Sequence, residues 1–179
     1  VYAKGKAQPT LAICPDMTLR IYERGVSADT ILEDGVQNTF GFGPALVRDG
    51  AVAQEECSKH SVRFMNPRAG LGMIEPGHYV AIVVDGRQKE YSIGVTLLEY
   101  AEMFVNEGCT VAYNMDGGIS AGIVFMGENL NQHKKGGNGR ISSQRPWPDA
   151  LLFGYSETVP TLDDPIYNTG NLDEKIPRN

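Results

Sequence analysis

The segment Asn114-Met115-Asp116-Gly117-Gly118-Ile119-Ser120 sets an amide, a carboxylate and a hydroxyl around two adjacent glycines. Apolar runs flank it, Thr110-Val111-Ala112-Tyr113 before and Gly122-Ile123-Val124-Phe125-Met126 after, and both read as buried strands. Glycine reaches φ > 0 and lets backbone N–H groups come close to a ligand, so Gly117 and Gly118 are candidate donors to an anion. Asp-Gly is also the signal of a tight hairpin, and from this segment alone both readings stand. Two further carboxylates, Asp85 and Glu99, are available for proton transfer. Three arginines, Arg68, Arg87 and Arg145, each follow a turn or proline signal rather than lying in a charge run. A carboxylate can take or give a proton, and a guanidinium can hold a phosphate through paired donors. Asp116 and Asp85 lead the acid/base candidates, because Glu99 stands three residues after Thr96, where a capping box needs a glutamate.

The elements that must position these groups follow from hydrophobic spacing. Leu97, Leu98, Ala101, Phe104 and Val105 fall on one helical face, so residues 97–107 are the main helix, capped at Thr96 and stopped at Gly108. It feeds the strand at 110–114. That brings the turn at Asp116 and a turn at Asp85-Gly86-Arg87 towards a helix N-terminus, whose free N–H groups favour anions. Upstream, residues 11–14 and 18–22 read as two short strands joined at Pro15-Asp16-Met17, and residues 27–35 as a short helix begun by Ser27 and ended by Gly35. Residues 36–50 alternate aromatics and glycines before a strand and an Asp-Gly turn, and 51–61 read as a loop. Asn66-Pro67 forces an extended entry to Arg68. Residues 78–84 form an apolar strand that Asp85-Gly86-Arg87 turns back into 90–94. A loop with His133, Lys134, Lys135, Arg140 and Arg145 spans 128–148, and 150–155 is the last strand. The expected fold is α+β: one domain with a central mixed or antiparallel sheet, one main helix and many turns.

Size and charge narrow the function. The chain has 179 residues, 41% hydrophobic and 21% charged, enough for one ordinary core. A net charge of -6 argues against a general nucleic-acid binder, so phosphate chemistry has to rest on a few placed cations. No apolar run has the length of a membrane span. Cys14, Cys57 and Cys109 are too scattered for a disulfide framework or a CxxC-type zinc site, and Cys109 reads as a small core residue. His60, His78 and His133 are isolated and match no zinc motif. Calcium held by Asp116, Asn114 and backbone carbonyls is a minor alternative to no cofactor. Ser92 and Ser120 have no GxSxG setting.

Five ordered motifs carry a family resemblance: Asn66-Pro67-Arg68-Ala69-Gly70-Leu71-Gly72, Val83-Val84-Asp85-Gly86-Arg87, Ser92-Ile93-Gly94-Val95-Thr96-Leu97-Leu98-Glu99, Asn114-Met115-Asp116-Gly117-Gly118-Ile119-Ser120 and Gln144-Arg145-Pro146-Trp147-Pro148-Asp149-Ala150-Leu151. Together they resemble the phosphodiester glycosidase family, to which the lysosomal uncovering enzyme belongs. The chain departs from the family pattern at Ile119, Ala121 and Gly122. The family's early aromatic stretch with Asn-Gly is not visible, and the chain begins without Met, so a missing N-terminal part is expected. The resemblance implies residues 1–155 as the glycosidase-like domain and 156–179 as an arm or linker.

It also implies a substrate with a sugar joined through its anomeric carbon to a phosphodiester, in a glycan or glycolipid, and an extracellular or cell-envelope setting. Asp116, then Asp85 and Glu99, become the catalytic candidates. Arg68, Arg87, Asn114, Gly117, Gly118, Ser92, Thr96, Ser120 and Arg145 become the substrate-binding candidates. Two other classes stay in view. One is a noncatalytic cell-envelope module that binds anionic glycans in the same cleft. The other is a metal-dependent phosphodiesterase cutting the P–O bond, disfavoured by the lack of clustered metal ligands.

Overall fold

A computed structural model describes residues 8–36, 38–132 and 150–154. Strands β1 (Thr10–Ile13) and β2 (Leu19–Tyr22) form a hairpin, followed by helix α1 (Ala28–Glu33) and strand β3 (Asn38–Gly41). Then come β4 (Ala45–Arg48), β5 (Ala51–Val52), helix α2 (Gln54–Lys59), β6 (Arg68–Glu75) and β7 (His78–Val84). Helix α3 (Leu97–Asn106) leads to β8 (Val111–Asn114), a 3-10 turn at Gly118–Ser120, and the small hairpin of β9 (Val124–Phe125) and β10 (Glu128–Asn129). The sheets run β2-β1-β3 and β5-β4-β8-β6-β7, and every named pairing is antiparallel. This is the expected α+β architecture, with α3 the longest helix among the described residues. The chain falls into two compact units, Val1–Pro146 and Trp147–Asn179. Of the second, residues 150–154 are described.

Alternation along β8 explains how the sheet is covered. Ala112 joins Leu97, Tyr100, Ala101, Phe104 and Cys57 in the main core, so α3 and α2 cover one face. Tyr113 points the other way, where its hydroxyl accepts from Phe42 N (3.1 Å) and donates to the Pro9 carbonyl. Glycines at 70 and 72 of β6 let the helix lie close: a Cβ at Gly70 would fall 2.7 Å from Tyr100 Oη, and one at Gly72 2.7 Å from Phe104. Tyr100 and Phe104 then meet edge to face at 5.2 Å. Each such fully buried side chain contributes about 1.5–3 kcal/mol. The Tyr100 hydroxyl is satisfied by the Ile82 carbonyl at 2.6 Å, so the burial leaves no orphan donor.

Four sequence expectations need correction. Residues 51–61 contain helix α2, because Cys57 plugs the core while the remaining polar side chains face water. Glu55 pairs with Lys59 at 2.6 Å and Glu56 with Arg48 at 2.6 Å. The hairpin at β7 is made with β6 through Pro76-Gly77, where Gly77 takes φ +80°; residues 85–95 form an irregular loop bridged within itself from Gln88 to Ser92 and outward from Val95 to Asn66. Residues 122–126 do not return to the main sheet, since Val124 and Phe125 pair with β10 and stay exposed. Residues 150–154 form no strand.

The cap on α3 forms as the sequence implies. Thr96 Oγ1 accepts from Glu99 N at 3.2 Å, and Glu99 Oε2 accepts from Thr96 N at 2.8 Å. The backbone bond from Thr96 holds the Glu99 carboxyl below its usual range. A depressed carboxylate gives its stabilisation in full above the unfolded value and loses it as pH falls through the folded one. Glu99→Gln is therefore expected to be less stable than wild type near neutral pH, with the gap closing as pH drops below about 4. Thermal melts of both proteins across the acid range measure it, and a pH-independent gap would assign Glu99 another role.

Candidate functional site

Antiparallel pairing puts the start of β6 and the ends of β7 and β8 at one end of the sheet. Arg68 pairs with Val84, and Gly70 with Asn114. Three irregular segments therefore gather there: 62–67 before β6, 85–95 after β7 and 115–120 after β8. Asn66 and Val95 exchange two backbone bonds of 3.2 Å. On the other side, Met115 N donates to Ala69 O and Gly118 N to Pro67 O, both at 2.9 Å. A Cβ on Gly117 would lie 2.6 Å from the Pro67 carbonyl oxygen, so only glycine lets the turn press this tightly onto the strand. The turn of residues 114–120 is thus a strand-end turn and not a hairpin.

Arg87 bridges the three segments. Its backbone is left-handed at φ +59°. Its Nε and Nη2 donate to Asn66 Oδ1 at 3.2 and 2.8 Å, and its own N–H reaches the Ile93 carbonyl at 3.4 Å. A Cβ built on Gly118 would stand 3.2 Å from Nη2 and 3.4 Å from Nη1, so the guanidinium lies against the glycine turn. Asp116 is exposed two residues earlier in that turn, and Ser120 is half-buried two residues later. Arg87, Asp116, Gly117, Gly118 and Ser120 therefore share one place, with a cation and a carboxylate both open to solvent.

Other sequence candidates hold the frame. Arg68 is 3% exposed, and it donates from Nε to Val95 O (3.2 Å) and from Nη2 to Val62 O (2.7 Å) and Phe64 O. Burial lowers its pKa, though a guanidinium stays charged at any pH of interest. It clamps the loops that carry Asn66. Asp85 accepts from Tyr91 Oη at 3.0 Å, Gln132 N at 2.8 Å and Asn131 Nδ2 at 3.3 Å. That carboxylate raises the pKa of the Tyr91 phenol. Ser92 Oγ donates to the Asp85 carbonyl at 2.6 Å and accepts from Gly94 N at 3.3 Å, bracing the same loop.

Asn114 is 1% exposed; its Nδ2 donates to Gly43 O at 2.7 Å, and among the described residues its buried Oδ1 has no donor. Thr96 and Glu99 are occupied in the cap. The N–H of Gly118, expected to face an anion, faces Pro67 instead. Arg145 and His133 lie outside the described residues. Sequence reasoning missed Asn66, which orients Arg87, and Tyr91 with Asn131, which pin Asp85. Asn66-Pro67 marked only a strand entry, and no local spacing links residue 66 to residue 87.

Among the described residues no three His, Cys, Asp or Glu side chains gather as metal ligands. The three cysteines are buried and unpaired, and burial pushes the Cys57 thiol up to about 12, so it is no nucleophile at neutral pH. No helix among the described residues is long and apolar enough to cross a membrane.

The antiparallel α+β domain, with the segments around Arg68, Arg87 and Asp116 at one sheet end, is matched by a hydrolase family. The phosphodiester glycosidase family matches residues 1–154, and the chain belongs to it. Over 144 residues it is 32% identical to the SPbeta prophage-derived uncharacterized protein YomE of Bacillus subtilis strain 168, a match covering 79% of this chain and 21% of that protein. The chain thus spans about a fifth of the length of that curated relative. Its fold resembles the zebrafish N-acetylglucosamine-1-phosphodiester α-N-acetylglucosaminidase catalytic domain auto-inhibited by its pro-peptide. The TM-score is 0.59 at 24% identity, over 71% of this chain and 45% of that one. A hypothetical protein from Synechocystis aligns at TM-score 0.46 and 16% identity, over 73% of this chain and 32% of that one.

Proposed function

We propose that this domain hydrolyses a sugar-1-phosphodiester, of the N-acetylglucosamine-1-phosphate type, at the glycosidic bond, in an extracellular or cell-envelope glycan or glycolipid. The observation that carries the reading is the Arg87 guanidinium lying against Gly118 in the turn that presents Asp116. Family membership supplies the reaction class. A phosphate is a good leaving group, so the reaction depends less on a strong general acid than ordinary glycoside hydrolysis does. As the bond between the anomeric carbon and the phosphate oxygen breaks, its electron pair goes to that oxygen and the positive charge to the sugar. Arg87 stabilises the departing phosphate, and its two nitrogens on Asn66 fix the guanidinium beforehand. Water bonds to the anomeric carbon and gives its proton to Asp116, leaving a free sugar and a phosphomonoester.

Arg87→Gln is expected to lower kcat/KM by about 10- to 100-fold, the scale of a lost charge-assisted hydrogen bond. Folding should persist, because Arg87 is exposed. Steady-state kinetics beside a thermal melt measure both. The reading itself is tested by incubating the chain with the methyl phosphodiester of N-acetylglucosamine-1-phosphate and assaying free sugar. Turnover supports it. Binding without turnover would overturn it in favour of a noncatalytic glycan-binding module.

A further inference from the structure

Helix α2 ends at His60, and the loop that follows supplies both the Val62 and Phe64 carbonyls held by Arg68 and the Asn66 amide that orients Arg87. The His60 ring is fixed at the head of this loop. Its Nδ1 accepts from Val62 N at 3.4 Å, so the neutral ring carries its proton on Nε2. That Nε2 is buried and has no acceptor among the described residues. The charged groups facing the ring are Glu56 on α2, Arg24 in the turn after β2 and Arg68 on β6, and Arg63 Nη1 donates to the His60 carbonyl at 3.3 Å. Burial holds the imidazole below its ordinary value, Arg24 and Arg68 add to the effect, and Glu56 opposes it.

A chain of bonds joins this ring to Arg87. Val62, whose N–H His60 accepts, gives its carbonyl to Arg68 Nη2 at 2.7 Å. Arg68 Nε donates to Val95 O at 3.2 Å, and Val95 exchanges two backbone bonds with Asn66. Asn66 Oδ1 then accepts from both Nε and Nη2 of Arg87.

We propose that His60 is an acid-sensitive switch whose protonation unseats Arg87. The added proton goes to Nδ1, the nitrogen that faces Val62 N, so two donors meet and the bond between them is lost. The new cation also stands in a half-buried place beside Arg24 and Arg68. Opening the loop at Val62 loosens the Arg68 clamp, and Asn66 no longer fixes the Arg87 guanidinium. With the folded value below the unfolded one, the neutral ring contributes its stability in full above 6.5, and that contribution is lost as pH falls through the folded value. The coupling between His60 and Arg87 belongs to the fold, whereas its effect on turnover rests on the proposed function.

Two measurements on the intact chain test this separately from the glycosidase reading. The first is an NMR titration from about pH 8 to about pH 5, the range in which histidine changes charge. The His60 ring is expected to titrate with a midpoint below 6.5, and the Val62 amide and Arg87 Nε–H signals should move with that same midpoint. His60→Asn keeps an acceptor for Val62 N but cannot titrate. In that variant the Arg87 signal should stay in place, which separates His60 from His78 and His133. An Arg87 signal that ignores the His60 titration, or that moves equally in His60→Asn, would overturn the proposal. If the variant does not fold, the wild-type midpoints decide: a shared midpoint supports the switch and separate midpoints overturn it. The second measurement is kcat/KM for the methyl phosphodiester of N-acetylglucosamine-1-phosphate over the same range. Wild type should lose at least about fivefold more activity than His60→Asn on acidification. Turnover with the same pH profile in both proteins sinks the switch alone, whereas coupled NMR signals without turnover at any pH sink the glycosidase reading alone.

Discussion

Asp116→Asn is expected to reduce kcat by at least about 100-fold, on the scale of removing an acid or base group. The change is nearly isosteric and the side chain is exposed, so the thermal midpoint should move by no more than ~2 °C. Asp116 carries the largest expected loss because it stands in the exposed turn against which the Arg87 guanidinium lies. Asp85 accepts three hydrogen bonds from Tyr91, Asn131 and Gln132, and Glu99 caps its own helix. Either of those variants should disturb structure along with rate. Kinetics and melting on the same preparation separate the two effects. Turnover close to wild type in Asp116→Asn removes it from the mechanism.

Arg68→Met carries the largest expected cost in stability, about 3–5 kcal/mol. The guanidinium is buried and donates to the carbonyls of Val62, Phe64 and Val95, each of which loses a charge-assisted bond while remaining an acceptor. For a chain of this size that corresponds to a fall in Tm of roughly 6–20 °C. Arg68→Lys should recover little, since one ammonium cannot reproduce a planar fork reaching three carbonyls. Activity should fall in parallel, because the clamp sets Asn66 and Asn66 sets Arg87. A variant that melts like wild type but loses activity would instead place the Arg68 guanidinium on the substrate.

Local signals were legible and long-range ones were not. The Thr96 and Glu99 spacing foretold the capping box, and the helical period foretold the burial of Leu97, Ala101 and Phe104, whereas Tyr100 was missed and Leu98 and Val105 are only partly buried. Gly117 and Gly118 announced a special turn, yet composition cannot say which neighbour demands it. That neighbour is Pro67, fifty residues earlier in the chain, whose carbonyl occupies the donor assigned to an anion. Asp85-Gly86-Arg87 looked like the hairpin turn because Asp-Gly is a strong local signal. Pro76-Gly77 makes the hairpin, and the register of β6 against β7 follows from it. Arg68 and Arg87 were alike in sequence, each an arginine after a turn or a proline. Burial separates them: one is a clamp inside the fold and the other faces solvent. Polar residues at 54–59 concealed α2, since one buried cysteine in six residues makes no periodic pattern.

In the proposed reaction the bond broken joins the sugar's anomeric carbon to the phosphate oxygen. Hydrolysis of an N-acetylglucosamine-1-phosphate diester in water enriched in oxygen-18, followed by mass spectrometry of the phosphomonoester, tests it most directly. Attack at the anomeric carbon leaves all phosphate oxygens original, so the phosphomonoester should keep its unlabelled mass. A phosphomonoester carrying one labelled oxygen would mean attack at phosphorus and would contradict the account.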